Sequence, residues 1–583
     1  MLLLLVLLLL VPRHPMIEAR SFGVRYGEEP EQVLRDISFR LAPGERVLLL
    51  GSSGSGKSTL VSSLIGLIPH SHEAELQGHI AVQNLPTIHS SPGELSHRVG
   101  VVFQDPDSQL TMLTVEEEIA FGLENLGIPP KEMDHRIATA LEQVGLGEYR
   151  SCRVELLSGG MKQRLVIGAI LAMEPDLLVL DEPTANLDPR GAREVSKLLL
   201  DISRRRRELA ILLVEHRLDE MASLATRVLL LDSKGRLALD LPAREAFGSR
   251  AETLRRHQVW IPTESAAALQ AGLEPSFGEL PLREALEKLA GSLEQDQPGR
   301  SGLLEWCQPA KPAPRSPEEP DPVLFLDKIT VSYPRASSGG PVLKDLSFSL
   351  AAGELCALAG PNGSGKSTLA ATAMGLIPPQ KGRVFLEGRD LSRIPLRERS
   401  RRAGFVFQNP EHQFVTDSVF EEVAFTLRQQ GCNDTEIRER TGETLNTLGL
   451  GDLARRNPFS LSFGQKRRLS AASMLVAHRK LLIFDEPTFG QDPRALEELL
   501  NLLDLLASRN TAVLVITHDM DLIWSRAHRV ALLLDGVIAL EGTPEDVFAR
   551  EALLHRGGLI PPSRYHLHKA LSPRSHHYEP CHL

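Results

Sequence analysis

Apolar and polar positions along this chain fall into two alternating patterns. Short, unbroken apolar runs occur as RVLLLG (46–51), LLVLDE (177–182) and AILLVEH (210–216), and again as ELCALAG (354–360), LLIFDE (481–486) and AVLVITH (512–518). An apolar run without polar alternation is the mark of a strand covered on both faces, as in a parallel sheet. Between the runs lie segments with helical spacing, among them STLVSSLIGLI (58–68), MKQRLVIGAILAM (161–173) and STLAATAMGLI (367–377). Strands that alternate with helices predict an α/β fold with a covered, mainly parallel sheet.

The pattern is written twice. GSSGSGKST (51–59) recurs as GPNGSGKST (360–368), VVFQDPDSQ (101–109) as FVFQNPEHQ (405–413), LSGGMKQR (157–164) as LSFGQKRR (461–468), and LLVLDEPTANLDPR (177–190) as LLIFDEPTFGQDPR (481–494). The same order at nearly constant spacing predicts two copies of one domain, taken as residues 16–250 and 322–556. The intervening 251–321 reads as helical in PLREALEKLAGSLEQ and then as extended in the proline-rich PAKPAPRSPEEPDP. Residues 557–583 read as a disordered tail whose histidines lack regular ligand spacing. The opening MLLLLVLLLLV is shorter than the roughly 20 residues of a membrane-spanning helix. It also lacks the charged start and small-residue cleavage site of a signal peptide. Residues 1–15 are therefore read as an extension before the folded domain.

Composition narrows the picture further. At 583 residues the chain is too long for one ordinary core, and 42% hydrophobic with 24% charged residues is a globular balance. A formal net charge of −10 excludes binding to nucleic acid by bulk charge. Five cysteines without a CxxC pair fit neither a disulfide framework nor a zinc site. The run RRRR at 204–207 reads as a solvated helix end rather than a lipid or nucleic-acid contact.

The candidate chemistry lies in the repeated segments. Gly51, Ser52, Ser53, Gly54, Ser55, Gly56, Lys57, Ser58 and Thr59, and Gly360, Pro361, Asn362, Gly363, Ser364, Gly365, Lys366, Ser367 and Thr368, each follow a strand and open a helix. Their glycines let backbone N–H groups close around phosphate oxygens. Lys57 and Lys366 reach the β/γ-phosphates, and Ser58 and Ser367 offer a hydroxyl to Mg²⁺. Asp181 and Asp485 end strands where a carboxylate can hold Mg²⁺. Glu182 and Glu486 follow, placed to polarise an attacking water. Gln104 and Gln408 can touch Mg²⁺ or water and move with their loops. His216 and His518 can hydrogen-bond a γ-phosphate. Tyr26 and Tyr333 precede the phosphate loops, where a ring can stack on adenine. Ser158, Gly159 and Gly160 open a further helix, whose N-terminal N–H groups and hydroxyl form an anion site. A second phosphate site in each copy points to a dimer.

With these motifs in this order, both halves resemble the nucleotide-binding domain of ABC ATPases. The resemblance implies two tandem P-loop NTPase domains. Each would have a mainly parallel core sheet, an antiparallel β subdomain and a helical subdomain carrying the signature. It implies ATP and Mg²⁺ as ligands and ATP hydrolysis coupled to transport. It also implies that Ser158 faces the ATP on Lys366 and that Ser462, with Gly464 and Gln465, faces the ATP on Lys57. At up to about 3.3 Å per residue the linker lets both halves of one chain meet. Phe463 stands where the first copy has Gly159. It keeps the backbone N–H while adding bulk and disfavouring positive φ. The glutamine-loop regions FQDPDSQL and FQNPEHQFVTDSVFEEVAF are similar to those of energy-coupling-factor (ECF) importer ATPases. That likeness implies an integral membrane scaffold, a substrate-binding membrane subunit, a place on the cytoplasmic face of the membrane, and a vitamin, vitamin precursor or metal ion as cargo. A fused ATPase of another importer class, such as sugars, is the nearer alternative. A tandem ABC translation factor is the farther one: it calls for a long basic helical linker, whereas 251–321 carries seven basic and twelve acidic side chains, a net of −5.

Overall fold

A computed structural model describes residues 14–27, 31–185, 187–216, 218–278, 280, 282–293, 297–310, 322–333, 340–461, 463–488 and 490–572. The apolar start, most of the proline-rich stretch, the last eleven residues, Ser462 and the Phe463 side chain lie outside the described residues. The chain divides into two compact units, Met1–Ala266 with Glu274–Glu279, and Ala267–Leu273 with Leu280–Leu583.

In the first unit a six-stranded sheet runs in the order Leu237–Pro242, Arg227–Leu231, Arg46–Gly51, Ala210–Val214, Leu177–Asp181 and Val99–Val102. All its pairings are parallel except the first. Period-two alternation explains the apolar runs. Val47 and Leu49 face one core with the helix Lys57–Leu64 and the antiparallel sheet, while Leu48 and Leu50 face another with the longer helices. Both faces are covered, so no position in the strand can be polar. The antiparallel sheet pairs Leu34–Leu41, Ile17–Tyr26, Ala74–Val82 and Leu85–Pro86 in that order. A helical segment comprises Val115–Asn125, Pro130–Gln143 and Gly159–Ala172, the last opening with the LSGGM signature.

The second unit repeats this plan. Its six strands run Ala403–Val406, Leu481–Asp485, Ala512–Ile516, Leu355–Ala359, Arg529–Leu534 and Val537–Gly542, again parallel except at the last pair. Its helical segment is Val419–Gln430, Asp434–Thr447 and Phe463–Leu475. Matched caps start matched helices. Asp188 accepts from Gly191 N at 2.7 Å ahead of Pro189–Arg205, and Asp492 accepts from Ala495 N at 2.8 Å ahead of Pro493–Ser508. Arg204, Arg205 and Arg207 are exposed at the end of Pro189–Arg205, and Arg206 donates to the Pro175 carbonyl at 2.7 Å.

The expected disordered tail needs correction. Residues 563–571 form the helix Ser563–Leu571, whose Leu567 and Leu571 join a core with Leu286, Ala290, Leu303 and Cys307. Trp524 Nε1 donates to the Cys307 carbonyl at 2.8 Å inside the same unit. The helix order Ala243–Phe247, Ala251–Arg256, Thr263–Gln270 is matched by Pro544–Phe548, Glu551–Arg556, Ser563–Leu571. The tail helix is thus part of the repeat, with the short cue IPT (261–263) against IPPS (560–563). The linker helix expected in PLREALEKLAGSLEQ is Leu282–Ser292, and Pro298–Trp306 adds one more.

Candidate functional site

The same cluster forms twice, at the carboxyl ends of the central strands. Arg46–Gly51 and Leu355–Ala359 feed the two phosphate loops, which run into Lys57–Leu64 and Lys366–Ala373. Gly56 and Gly365 hold φ of 95° and 103°, where a side chain is strained, and a Cβ on Gly56 would lie 2.6 Å from Leu34 Cδ2. Lys57 Nζ donates to the Gly51 and Ser52 carbonyls at 2.7 and 3.1 Å, and Lys366 Nζ to those of Gly360 and Pro361 at 2.8 and 2.9 Å. The Ser55 and Ser364 hydroxyls are buried without a hydrogen-bond partner among the described residues. A turn of N–H groups at a helix start, with an ammonium and an unspent hydroxyl, fits a polyphosphate.

Asp181 and Asp485 close the next strand but one in each sheet. Burial pushes both carboxyls up to about 6, helped by Glu182 or Glu486 and opposed by Lys57 or Lys366. Ser367 Oγ donates to Asp485 Oδ2 at 3.4 Å. A hydroxyl beside a buried carboxylate is an oxygen donor set of the kind Mg²⁺ takes together with phosphate and water.

Each glutamate then turns out of its strand. Glu182 and Glu486 sit at φ 50° and 48°, and their N–H groups donate to Val214 and Ile516 carbonyls at 2.8 Å. A non-glycine residue there costs about 1 kcal/mol or more, a strain typical of functional sites. Glu182 Oε1 lies 3.1 Å from His216 Nε2, and Glu486 Oε1 lies 2.8 Å from His518 Nδ1. Burial opposes both charges, but the histidine and the loop lysine outweigh it and hold both glutamates below the ordinary range.

The structure thus brings Lys57, Asp181, Glu182 and His216 together, and likewise Lys366, Asp485, Glu486 and His518. The two glutamines differ. Gln104 Nε2 donates to Glu182 Oε2 at 2.9 Å, whereas Gln408 meets its cluster through its carbonyl, which accepts from Arg467 Nη2 at 3.0 Å. Tyr26 and Tyr333 lie beside the loops, their hydroxyls 3.2 and 3.1 Å from Thr59 and Thr368 Oγ1. Ser158 Oγ caps its helix by accepting from Met161 N at 3.3 Å, with Gly159 and Gly160 as the first helical residues. Ser462 falls outside the described residues, and Gly464 is buried in the first turn of the second signature helix.

Several residues at the site escaped the sequence reading. Glu118 and Glu422 are buried and accept from two loop N–H groups each, Thr111 and Met112 at 2.9 and 2.8 Å, Val415 and Thr416 both at 3.0 Å. Their cue was a glutamate on the apolar stripe of a helix, at 118 among Val115, Ile119 and Leu123. Lys162–Asp107 and Lys466–Glu411, both 2.6 Å, tie each signature helix to its glutamine loop. The remaining contacts are unequal. Glu215 is buried in the first copy, accepting from Thr184 Oγ1 at 2.8 Å and from His216 N at 2.9 Å. Its counterpart Thr517 instead donates through Oγ1 to Glu486 Oε2 at 3.2 Å. Arg467 is buried in the second copy, where desolvation pushes its guanidinium down to about 10 against the pull of Glu486 and Asp485.

Beside the first glutamine loop opens a groove of about 700 Å³, lined among others by His97, Gln109, Glu118, Phe121 and Met173. Phe121 and its counterpart Phe425 are 41% and 43% exposed, so both copies present an aromatic ring at this edge.

The family model described as ABC transporter matches residues 34–185 and 343–489. A relative from Bacillus subtilis (strain 168), named "Putative HMP/thiamine import ATP-binding protein YkoD", is 40% identical over 94% of this chain and 95% of its own. A relative from Methanosarcina acetivorans, named as an ABC transporter ATP-binding protein, is 36% identical over 94% of this chain and 89% of its own. The solved structure of CbiO1 from Clostridium perfringens, described as part of the ABC transporter complex CbiONQ, covers 43% of this chain and 99% of its own, with 32% identity and a TM-score of 0.37.

Proposed function

This chain belongs to the ABC transporter family of ATP-binding proteins, and we propose that it is the energy-coupling ATPase subunit of an ECF-type importer for a vitamin, a vitamin precursor or a metal ion. The observation that carries this reading is a complete lysine–aspartate–glutamate–histidine cluster in each copy. It stands in a chain that matches, over nearly all its length, a relative named for HMP/thiamine import. The ECF-like glutamine-loop segments add to it.

In this reading ATP lies with its β- and γ-phosphates against the N–H groups of a phosphate loop and against Lys57 or Lys366. The signature residues Ser158, and Ser462 with Gly464, would each add contacts to a γ-phosphate. Ser58 with Asp181 and Gln104, and Ser367 with Asp485 and Gln408, would hold Mg²⁺, which when bound neutralises charge on the β- and γ-oxygens. Glu182 or Glu486 accepts a proton from water as the water oxygen bonds to the γ-phosphorus. The bond from that phosphorus to the bridging oxygen breaks, and ADP and phosphate leave. His216 or His518 holds the carboxylate in place meanwhile.

No helix among the described residues is long and apolar enough to cross a membrane. In this reading transport calls on separate membrane subunits, and the groove lined by Gln109 and Phe121, with the exposed Phe425 of the other copy, offers surfaces for them. Affinity purification from membranes tests the reading. A polytopic scaffold and a small substrate-binding membrane protein should co-purify with the chain, and the bound small molecule identifies the cargo. Co-sedimentation with ribosomes and no membrane association would overturn it.

A further inference from the structure

At the third position after the signature glycine that both copies share, Gly160 and Gly464, the copies differ: Gln163 in the first, Arg467 in the second. Both side chains are buried, at 1% and 6% exposure. Gln163 Nε2 has no hydrogen-bond partner among the described residues. Arg467 makes contacts that Gln163 does not. Its Nη1 donates to the carbonyl of Glu486 and its Nη2 to the carbonyl of Gln408, the latter at 3.0 Å. One planar fork thus spans two backbone segments that meet at the site. One segment is the turn that holds Glu486 in the left-handed region at φ 48°, and the other is the start of the glutamine loop.

The first copy joins the same two segments differently, through the side-chain bond from Gln104 Nε2 to Glu182 Oε2 at 2.9 Å. That bond occupies an oxygen of the glutamate itself. The backbone fastening in the second copy leaves the carboxylate of Glu486 to His518 and Thr517. The signature helix carries Arg467, so any shift of that helix reaches the Glu486 peptide directly.

We propose that Arg467 is a positioning residue of the second copy: its guanidinium fastens the Glu486 and Gln408 carbonyls to the signature helix, setting the place of the Glu486 carboxylate, a device absent from the first copy. The proposal rests on Glu486 acting as the water-polarising group.

The test uses the full chain and its steady-state ATPase. In a Glu182→Gln background, where turnover reports Glu486, Arg467→Gln is expected to lower kcat about tenfold or more while KM for ATP moves less than twofold. In a Glu486→Gln background the same change is expected to lower kcat less than twofold, because its target is already gone. A merely structural role would cost the same factor in both backgrounds, and that result would overturn the proposal. Arg467→Lys keeps the charge but puts a single ammonium on a shorter side chain, without the planar fork whose two nitrogens each reach one carbonyl. It is expected to lose at least threefold in kcat in the Glu182→Gln background, with a melting temperature close to that of its parent. Parental turnover from the lysine variant would overturn the proposal even if Arg467→Gln fails to fold. Should the double variant Glu182→Gln/Glu486→Gln keep its turnover, the glutamate reading falls and the proposal with it. If that double variant is dead while Arg467→Gln matches its parent, the proposal alone falls.

Discussion

In the first copy the glutamate is held from its side chain, by Gln104 and His216; in the second it is held from both ends, by His518 and Thr517 at the carboxylate and by Arg467 at the carbonyl. The parts common to both are the loop lysine folded onto its own carbonyls, the buried aspartate, and the left-handed glutamate beside a histidine. Among the supports of those groups, Glu215 stands against Thr517, and Gln163 against Arg467. Two copies of one domain can therefore keep the reacting groups fixed while their supports diverge. A support needs only to fill its space and satisfy its neighbours, whereas a group that touches phosphate or water has its chemistry set by the reaction.

The largest effect tests whether the common parts are equivalent. Glu182→Gln and Glu486→Gln made separately should each leave measurable ATP turnover, and the double variant should lose about a hundredfold or more. If one single change abolishes turnover while the other leaves the wild-type rate, the claim of two working sites is wrong.

A second pair of changes addresses supports that are alike. Glu118→Ala and Glu422→Ala each leave two loop N–H groups without their acceptor. Each should cost about 2 to 3 kcal/mol, read from denaturant midpoints. A large loss in one copy with none in the other would show that the two glutamine loops are mounted differently.

The unlike supports should give smaller, one-sided effects. Thr517→Val removes a hydroxyl donor to the Glu486 carboxylate, a bond worth about 1.5 kcal/mol. In the Glu182→Gln background it should slow turnover roughly tenfold at most. No slowing would remove Thr517 from the comparison.

The smallest effect concerns matched helices outside the sites. Glu264, in the second position of Thr263–Gln270, is pushed up to about 7 by burial, with Asp219 adding to the shift and the Gly278 N–H opposing it, while Arg564 stands at that position of Ser563–Leu571. A raised folded pKa means that the folded unit favours the protonated acid. Its contribution to stability is full below the unfolded value of roughly 4.3 and is lost as pH rises through about 7. Glu264→Gln should therefore melt close to wild type at pH 5 and above it at pH 8. A constant difference across that range would mean that burial does not govern this carboxyl.

Much of this protein was legible in its sequence because the governing interactions are local or repeated. The stretches VLLL (47–50) and LLIF (481–484) read as covered strands, since every side chain in them is apolar, and all eight are buried. GSSGSGKST and GPNGSGKST read as phosphate loops from their glycines, and Gly56 and Gly365 do hold a φ near 100°, where other residues are strained. Duplication turned weak signals, such as a lone histidine after a strand, into strong ones. The tail helix was missed because its apolar positions are interrupted by two histidines and a lysine. Its place is set by Leu567 and Leu571 meeting Leu286 and Leu303 across a long stretch of chain.

The sequence by itself determined the α/β class, the twofold repeat, and which lysine, aspartate, glutamate and histidine come together in each copy, because strand pattern and loop chemistry are short-range properties. Only the tertiary structure decided how each glutamate is held. Glu118 and Glu422 reach loop N–H groups several residues away, Glu215 is buried behind His216, and Arg467 bridges carbonyls far apart in the chain. Buried charges and polar groups take their partners from whatever the fold brings within about 3 Å, and no spacing along the chain encodes that.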